Sequence, residues 1–239
     1  MAYSRHKNFD SLLKEFWIKR LAQSSTVAVF KTSDPKRLHP FIDFIRTSYE
    51  KLIEKGTVKS YKMYVYRVWS GLYEARYVRD SGKEVLKFLP VTVRIQQQLP
   101  PMLQVASPQQ HIKDLPTALS YVDGLMNQKE DEAVILILWG LFPKKGAPQE
   151  QDALISFLRN AIFTDSYYSK FHTVVLFSDS PDALIDDDTL KHSIYIEISP
   201  SIDEERQSLI SNIVNEFGSK ITNGVDISQL VEALSLIHI

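Results

Sequence analysis

A chain of 239 residues with 28 Lys or Arg, 29 Asp or Glu and a net charge of −1 is long enough for one large core, alone or with a small satellite. Its 44% hydrophobic and 24% charged residues are ordinary for a globular protein. It has no cysteine, which excludes disulfides, thiolate metal sites, iron–sulfur clusters and cysteine nucleophiles together.

The near-zero net charge conceals a division. Residues 1–110 hold nineteen Lys or Arg against nine Asp or Glu, and residues 111–239 hold nine against twenty. Such an asymmetry suits complementary faces between subunits or domains, attraction of the basic half to nucleic acid, or two separately solvated surfaces. The first seventeen residues lack the form of a signal peptide. The longest apolar run, residues 133–143, is too short to cross a bilayer, so the expected compartment is the cytoplasm.

In chain order, Phe9, Leu12, Leu13, Phe16, Trp17 and Leu21 repeat at helical spacing, with Asn8 or Asp10 as cap. Residues 26–30 form a compact strand, and Lys31, Thr32, Ser33, Asp34 and Pro35 are the turn after it. Asp34 is placed to cap a helix whose apolar face is Leu38, Phe41, Ile42, Ile45, Tyr49 and Leu52, ended by Gly56. Strand, loop, helix is where a nucleotide-binding α/β domain carries its phosphate loop. That loop needs glycines so that backbone amides wrap the phosphates, then Lys and a Ser or Thr. Lys31 and Thr32 are the right residue types, but no glycine precedes Gly56.

Tyr61, Met63 and Val65 alternate with Tyr64, Tyr66 and Val68, which predicts an interior strand covered on both faces. After a turn at Ser70, Gly71 and Leu72, residues 73–78 and 84–88 bracket Asp80, Ser81, Gly82 and Lys83 as a hairpin. A further extended stretch follows at residues 91–95, then a Gln- and Pro-rich surface connection over residues 96–110. Arg67, Arg76, Arg79, Lys83, Lys87 and Arg94 surround the hairpin, with Tyr73, Tyr77 and Phe88 interleaved. These offer phosphate contacts and base stacking, or a protein-docking surface. Their strand parity does not establish that they share one face.

Asp114 caps the next predicted helix, with Pro116 in its first turn and Leu115, Leu119, Val122 and Leu125 as its stripe. Residues 133–139 are the most apolar strand and belong at the centre of a sheet. A P-loop ATPase closes such a strand with acidic residues for magnesium and water. Here it ends in Trp139, Gly140, Leu141 and Phe142, while Asp131 and Glu132 lie at its other end. A helix over residues 149–163 buries Leu154, Phe157, Leu158 and Ile162, with Arg159 off that stripe. His172 opens a strand over residues 172–177 and has the place of a structural, boundary histidine. A turn from Ser178 to Pro181, a short acidic helix near residues 186–190 and a strand over residues 194–198 complete the α/β part. Asp179, Asp182, Asp186, Asp187 and Asp188 suit helix capping and solvation better than magnesium. Ser201 and Glu204 then form a capping box, and two helices follow, one ended by Gly218 and one beginning near Asp226. The apolar end reads as part of a longer protein.

These elements predict an α/β three-layer sandwich with a mainly parallel sheet, a hairpin insertion about residues 72–95 and a small C-terminal helical part. The expected divisions are an extension over residues 1–24, the α/β domain over 25–200 and the start of a helical lid over 201–239.

The element order and several strings resemble the AAA-type P-loop ATPase family, above all the degenerate N-terminal module of the Ycf-type AAA proteins of chloroplasts and cyanobacteria. The strings are residues 64–72, ending in Trp69, Ser70, Gly71 and Leu72; residues 114–119; the central strand and aromatic–proline turn of residues 133–143; residues 172–181; and residues 194–206. The resemblance implies a polar sensor residue at Asp179, with Ser178 or Ser180 on either side of it. It puts the arginine-finger region at Lys191 and His192, where no arginine stands. With the phosphate loop and the acidic strand end also missing, it implies a catalytically inactive AAA-like domain for assembly, regulation or partner binding, with no catalytic residues, cofactor or metal. The alternative is an ATPase binding ATP and magnesium through Lys31, Thr32, Ser33, Asp34, Asp179 and Lys191. A second alternative is nucleic-acid binding by the basic half. The expected partner is another domain or subunit meeting charge-complementary faces.

Overall fold

The computed structural model describes residues 9–22, 25–32, 37–94, 109–128, 132–142 and 148–198. Along the chain come α1 (Phe9–Ala22), β1 (Val27–Lys31), α2 (Leu38–Glu54), β2 (Ser60–Arg67), β3 (Gly71–Asp80), β4 (Lys83–Pro90), β5 (Thr92–Arg94) and β6 (Gln109–His111). Then follow α3 (Leu115–Met126), β7 (Glu132–Trp139), α4 (Pro148–Phe163), α5 (Asp165–Ser169), β8 (Thr173–Ser178), α6 (Pro181–Leu184), α7 (Asp187–Lys191) and β9 (Ile194–Glu197).

Seven strands form one mixed sheet in the order β4-β3-β2-β7-β8-β1-β9. The five from β2 to β9 run parallel, and β3 and β4 are antiparallel to their neighbours. The physical cause is in the strands. β7 is apolar at both parities, so both of its faces must be covered. Ala133, Ile135, Ile137 and Trp139 pack with Leu13 and Phe16 of α1 and with Phe41, Ile42 and Ile45 of α2. Val134, Leu136 and Leu138 pack on the other side with Leu119 and Val122 of α3 and Leu154 and Leu158 of α4. β8 divides in the same way, Val175 and Phe177 against Val174 and Leu176. Each buried Val, Leu, Ile or Phe among them contributes about 1.5–3 kcal/mol of burial. Among the described residues, no helix is long and apolar enough to cross a membrane.

Several local expectations are met in detail. Asp114 caps α3, its carboxylate accepting from the Thr117 N–H at 2.9 Å. Asp186 caps α7 through the Thr189 N–H at 3.0 Å. The hairpin closes at the Asp80–Lys83 pair, with Ser81 at φ 50° and Gly82 at φ 85°, the two positive values that a twisted two-residue turn requires.

The structure adds to some expectations and corrects others. The hairpin joins the main sheet, β3 and β4 extending it beyond β2, and α2 covers one of their faces. Arg46 binds Glu84 at 2.8 Å and lies over the Tyr77 ring, and the Tyr77 hydroxyl bonds Asp43. Within the stretch assigned to a surface connection, Gln109 and Gln110 instead belong to β6, which pairs antiparallel with β5 in a second, two-stranded sheet. Leu21 is 42% exposed, while Arg20 is buried with Phe9, Leu13 and Phe16. α5 and α6 are short helices that the periodicity did not predict. The expected Asp34 cap and the helices after Ser199 lie outside the described residues.

Candidate functional site

In open α/β sheets a ligand crevice forms at the carboxyl edge, where neighbouring strands send their chains to opposite faces. β1 leads into α2, whose buried residues belong to one core cluster, and β8 leads into α6, whose Leu184 belongs to the other. The switch therefore falls between the ends of β1 and β8. There the Thr32 N–H donates to the Ser178 carbonyl at 2.8 Å, and the buried Ser178 hydroxyl accepts from the Ser180 N–H at 3.1 Å.

Lys31, Thr32 and Asp179 thus share one edge, as the sequence suggested. What the sequence missed is Glu197. It is the register partner of Lys31 on β9, and its carboxylate lies 3.5 Å from Lys31 Nζ. The Glu197 charge, with a smaller contribution from Tyr195, raises the Lys31 pKa. The Ile198 N–H donates to the Lys31 carbonyl at 2.9 Å, so both the backbone and the side chain of Lys31 are tied to β9. Only knowledge of strand neighbours reveals this pair.

Lys191 does not join the group. It precedes β9, whose first residue, Ile194, pairs with Ala28, and the neighbouring His192 carbonyl accepts from Ser25 at 3.1 Å at the amino edge. Ser33 and Asp34 lie outside the described residues.

Behind the edge the space is filled by rings. Phe30 and Phe177 stack at 4.9 Å, Phe41 sets its edge against both, and Trp139 lies 4.6 Å from Phe177. Further along, Trp69 is 69% exposed and its ring lies over Gly140: a Cβ there, at φ 72°, would come within 2.9 Å of it. Among the described residues no three His, Cys, Asp or Glu side chains gather as a metal site. Among the described residues the arrangement offers a paired lysine, an exposed carboxylate and hydroxyls.

The titratable groups at the opposite edge are structural. His172 is buried, and burial pushes its pKa down to about 4 despite the favourable bond to the Met126 carbonyl. Arg20 donates to Thr173 Oγ1 at 3.2 Å and to the His172 carbonyl at 2.9 Å, and it lies over the rings of Tyr168 and Phe171. Tyr49 donates to the Phe171 carbonyl and shares a 2.7 Å bond with Thr173 Oγ1. Asp186, where burial works to raise the pKa, is held well below the usual carboxylate range by the Thr189 amide and hydroxyl and by Arg159 at 3.0 Å.

The basic residues near the hairpin do not form one surface. Pairing of Arg76 with Lys87 and of Asp80 with Lys83 sets Arg76, Lys83 and Lys87 on one face; pairing of Arg67 with Gly71 and of Arg79 with Glu84 sets Arg67 and Arg79 on the other. Arg67 is spent on the Phe88 ring, 4.4 Å away. Arg94 ends β5, and its side chain lies outside the described part.

No protein-family model and no curated protein sequence matches this chain.

Proposed function

We propose that this chain is a non-catalytic AAA-like scaffold whose role is assembly, regulation or partner binding. The observation that carries the reading is the Lys31–Glu197 ion pair at the switch point in a chain with no glycine before Gly56. A phosphate-binding lysine must present its charge to the ligand, beside a backbone free of Cβ atoms. Here the charge is turned onto a neighbouring strand. The AAA-like part of the reading is supported by the parallel run β2-β7-β8-β1-β9 with core clusters on both of its faces, the mainly parallel three-layer sandwich that the resemblance implies.

Titration calorimetry of the folded chain with ATP, ADP and magnesium tests it. The expected result is no heat and no nucleotide-dependent rise in melting temperature. Micromolar binding would overturn the reading and make the turn after β1 a phosphate site built without glycine.

A further inference from the structure

Among the described residues, one face of the β3–β4 hairpin is left uncovered. The register sets Glu74 opposite Leu89, Arg76 opposite Lys87 and Val78 opposite Val85, and alternate residues of each strand share that face. Val85 and Leu89 are each 42% exposed, and the side chains of Arg76 and Lys87 are 54% and 48% exposed. Like charges directly opposite in an antiparallel pair destabilise it. Arg76 is offset by a two-pronged bond to Glu74, at 2.6 and 2.8 Å, and Lys87 by Asp80 at 3.2 Å. Two exposed apolar side chains flanking a pair of cations combine the ingredients of a docking surface, buried area and charge-set register.

The complement is on the same chain. At the other end of the sheet, α6 and α7 border β1 and β9 and expose Asp182, Asp187 and Asp188. Lys191 is the one Lys or Arg within α6 and α7. With Glu74 and Asp80 set against Arg76, Lys83 and Lys87, the hairpin face keeps one positive charge in excess, while Asp182, Asp187 and Asp188 outnumber Lys191 on the other patch; the two sit toward opposite ends of the strand order, so one molecule cannot satisfy both by folding onto itself.

We infer that the open hairpin face docks a second copy of this chain through that copy's α6–α7 surface, head to tail. The inference rests on the scaffold reading and gives its partner. The contact joins two different patches, so each copy in a pair keeps one patch free and association continues with concentration. Val85 and Leu89 supply burial, while Arg76 and Lys87 fix register and speed encounter.

Sedimentation of the full chain in about 50 mM and about 500 mM salt tests this, since exposed charges are screened over that range. Expected are masses above 27.5 kDa in low salt that fall toward that value in high salt. Two surface variants locate the contact: Arg76→Glu with Lys87→Glu, and Asp182→Lys with Asp187→Lys and Asp188→Lys. Each alone is expected to lose tenfold or more in association, and an equal mixture to regain it, because one variant then carries two acidic patches and the other two basic ones. Circular dichroism confirms folding, and Arg76→Gln with Lys87→Gln replaces the first variant if it unfolds, with the same loss expected. A monomer in low salt overturns the inference. So does association that survives reversal of the acidic patch, the result expected if β4 pairs with β4 of another copy. Nucleotide calorimetry reports on the scaffold reading separately: a monomer that ignores ATP leaves that reading standing and removes this one.

Discussion

The Val134 N–H donates to His172 Nδ1 at 2.9 Å, and His172 Nε2 lies 3.1 Å from the Met126 carbonyl. With Nδ1 accepting, the proton sits on Nε2, and the neutral ring joins the end of α3 to the start of β7. A second proton would break the Val134 bond inside the core.

The folded-state pKa of His172, about 4, lies below the unfolded value of about 6.5. The unfolded chain therefore binds the extra proton first. This contribution to stability is complete above pH 6.5 and is lost as pH falls toward 4, about 3 kcal/mol in all. Urea unfolding at several pH values, compared with His172→Gln, isolates it. The expected difference between the two proteins narrows as pH falls through that window, and a constant difference would show that His172 is not held neutral.

Arg20 is a buried cation whose Nη1 has no hydrogen-bond partner among the described residues, and burial lowers its pKa against the opposing influence of Tyr49 and Tyr168. Arg20→Ala is expected to cost about 3 kcal/mol by leaving a cavity and orphaning the His172 carbonyl. Arg20→Met, which fills the space and removes the unpaired nitrogen, is expected to cost less. Denaturation midpoints of both give the comparison, and equal losses would mean that the charge contacts, not packing, hold α1 in place.

Gly140→Ala faces both a positive φ and the Trp69 ring. It is expected to cost about 1–2 kcal/mol. In a Trp69→Ala background the steric share disappears and about 1 kcal/mol of backbone strain stays. A double-mutant cycle reads the split, and additive losses would show that the two residues do not bear on each other.

Glu197→Gln releases Lys31 and lowers its pKa, because the Glu197 charge is the largest cause of the rise. The scaffold reading expects this variant to ignore ATP as well, since freeing the cation does not supply backbone amides for the phosphates. Calorimetry showing ATP affinity in Glu197→Gln alone would make the ion pair a lock on a latent nucleotide site.

The candidate site was legible in its position and not in its state. Lys31, Thr32 and Asp179 were recognisable because strand ends can be read from apolar runs bounded by turns. Glu197 was not, since 165 residues of chain lie between it and Lys31 and only the placing of β1 between β8 and β9 brings them together. Lys191 was misplaced for a different reason: it precedes β9, and in a parallel sheet that position is the amino edge, away from the carboxyl end of β1.

The sequence by itself determined the local alphabet: apolar runs at both parities for β7 and β8, helical stripes in α2, α3 and α4, carboxylate caps at Asp114 and Asp186, and a turn at Ser81 and Gly82. These follow from forces acting within a few residues, namely periodic burial, backbone hydrogen bonding at helix ends and steric limits on φ. The tertiary structure alone decided the strand order, the inclusion of the hairpin in the main sheet, the partner of Lys31 and the burial of Arg20 in place of Leu21. Each depends on which surfaces meet across long stretches of chain, a choice made by packing the whole core at once.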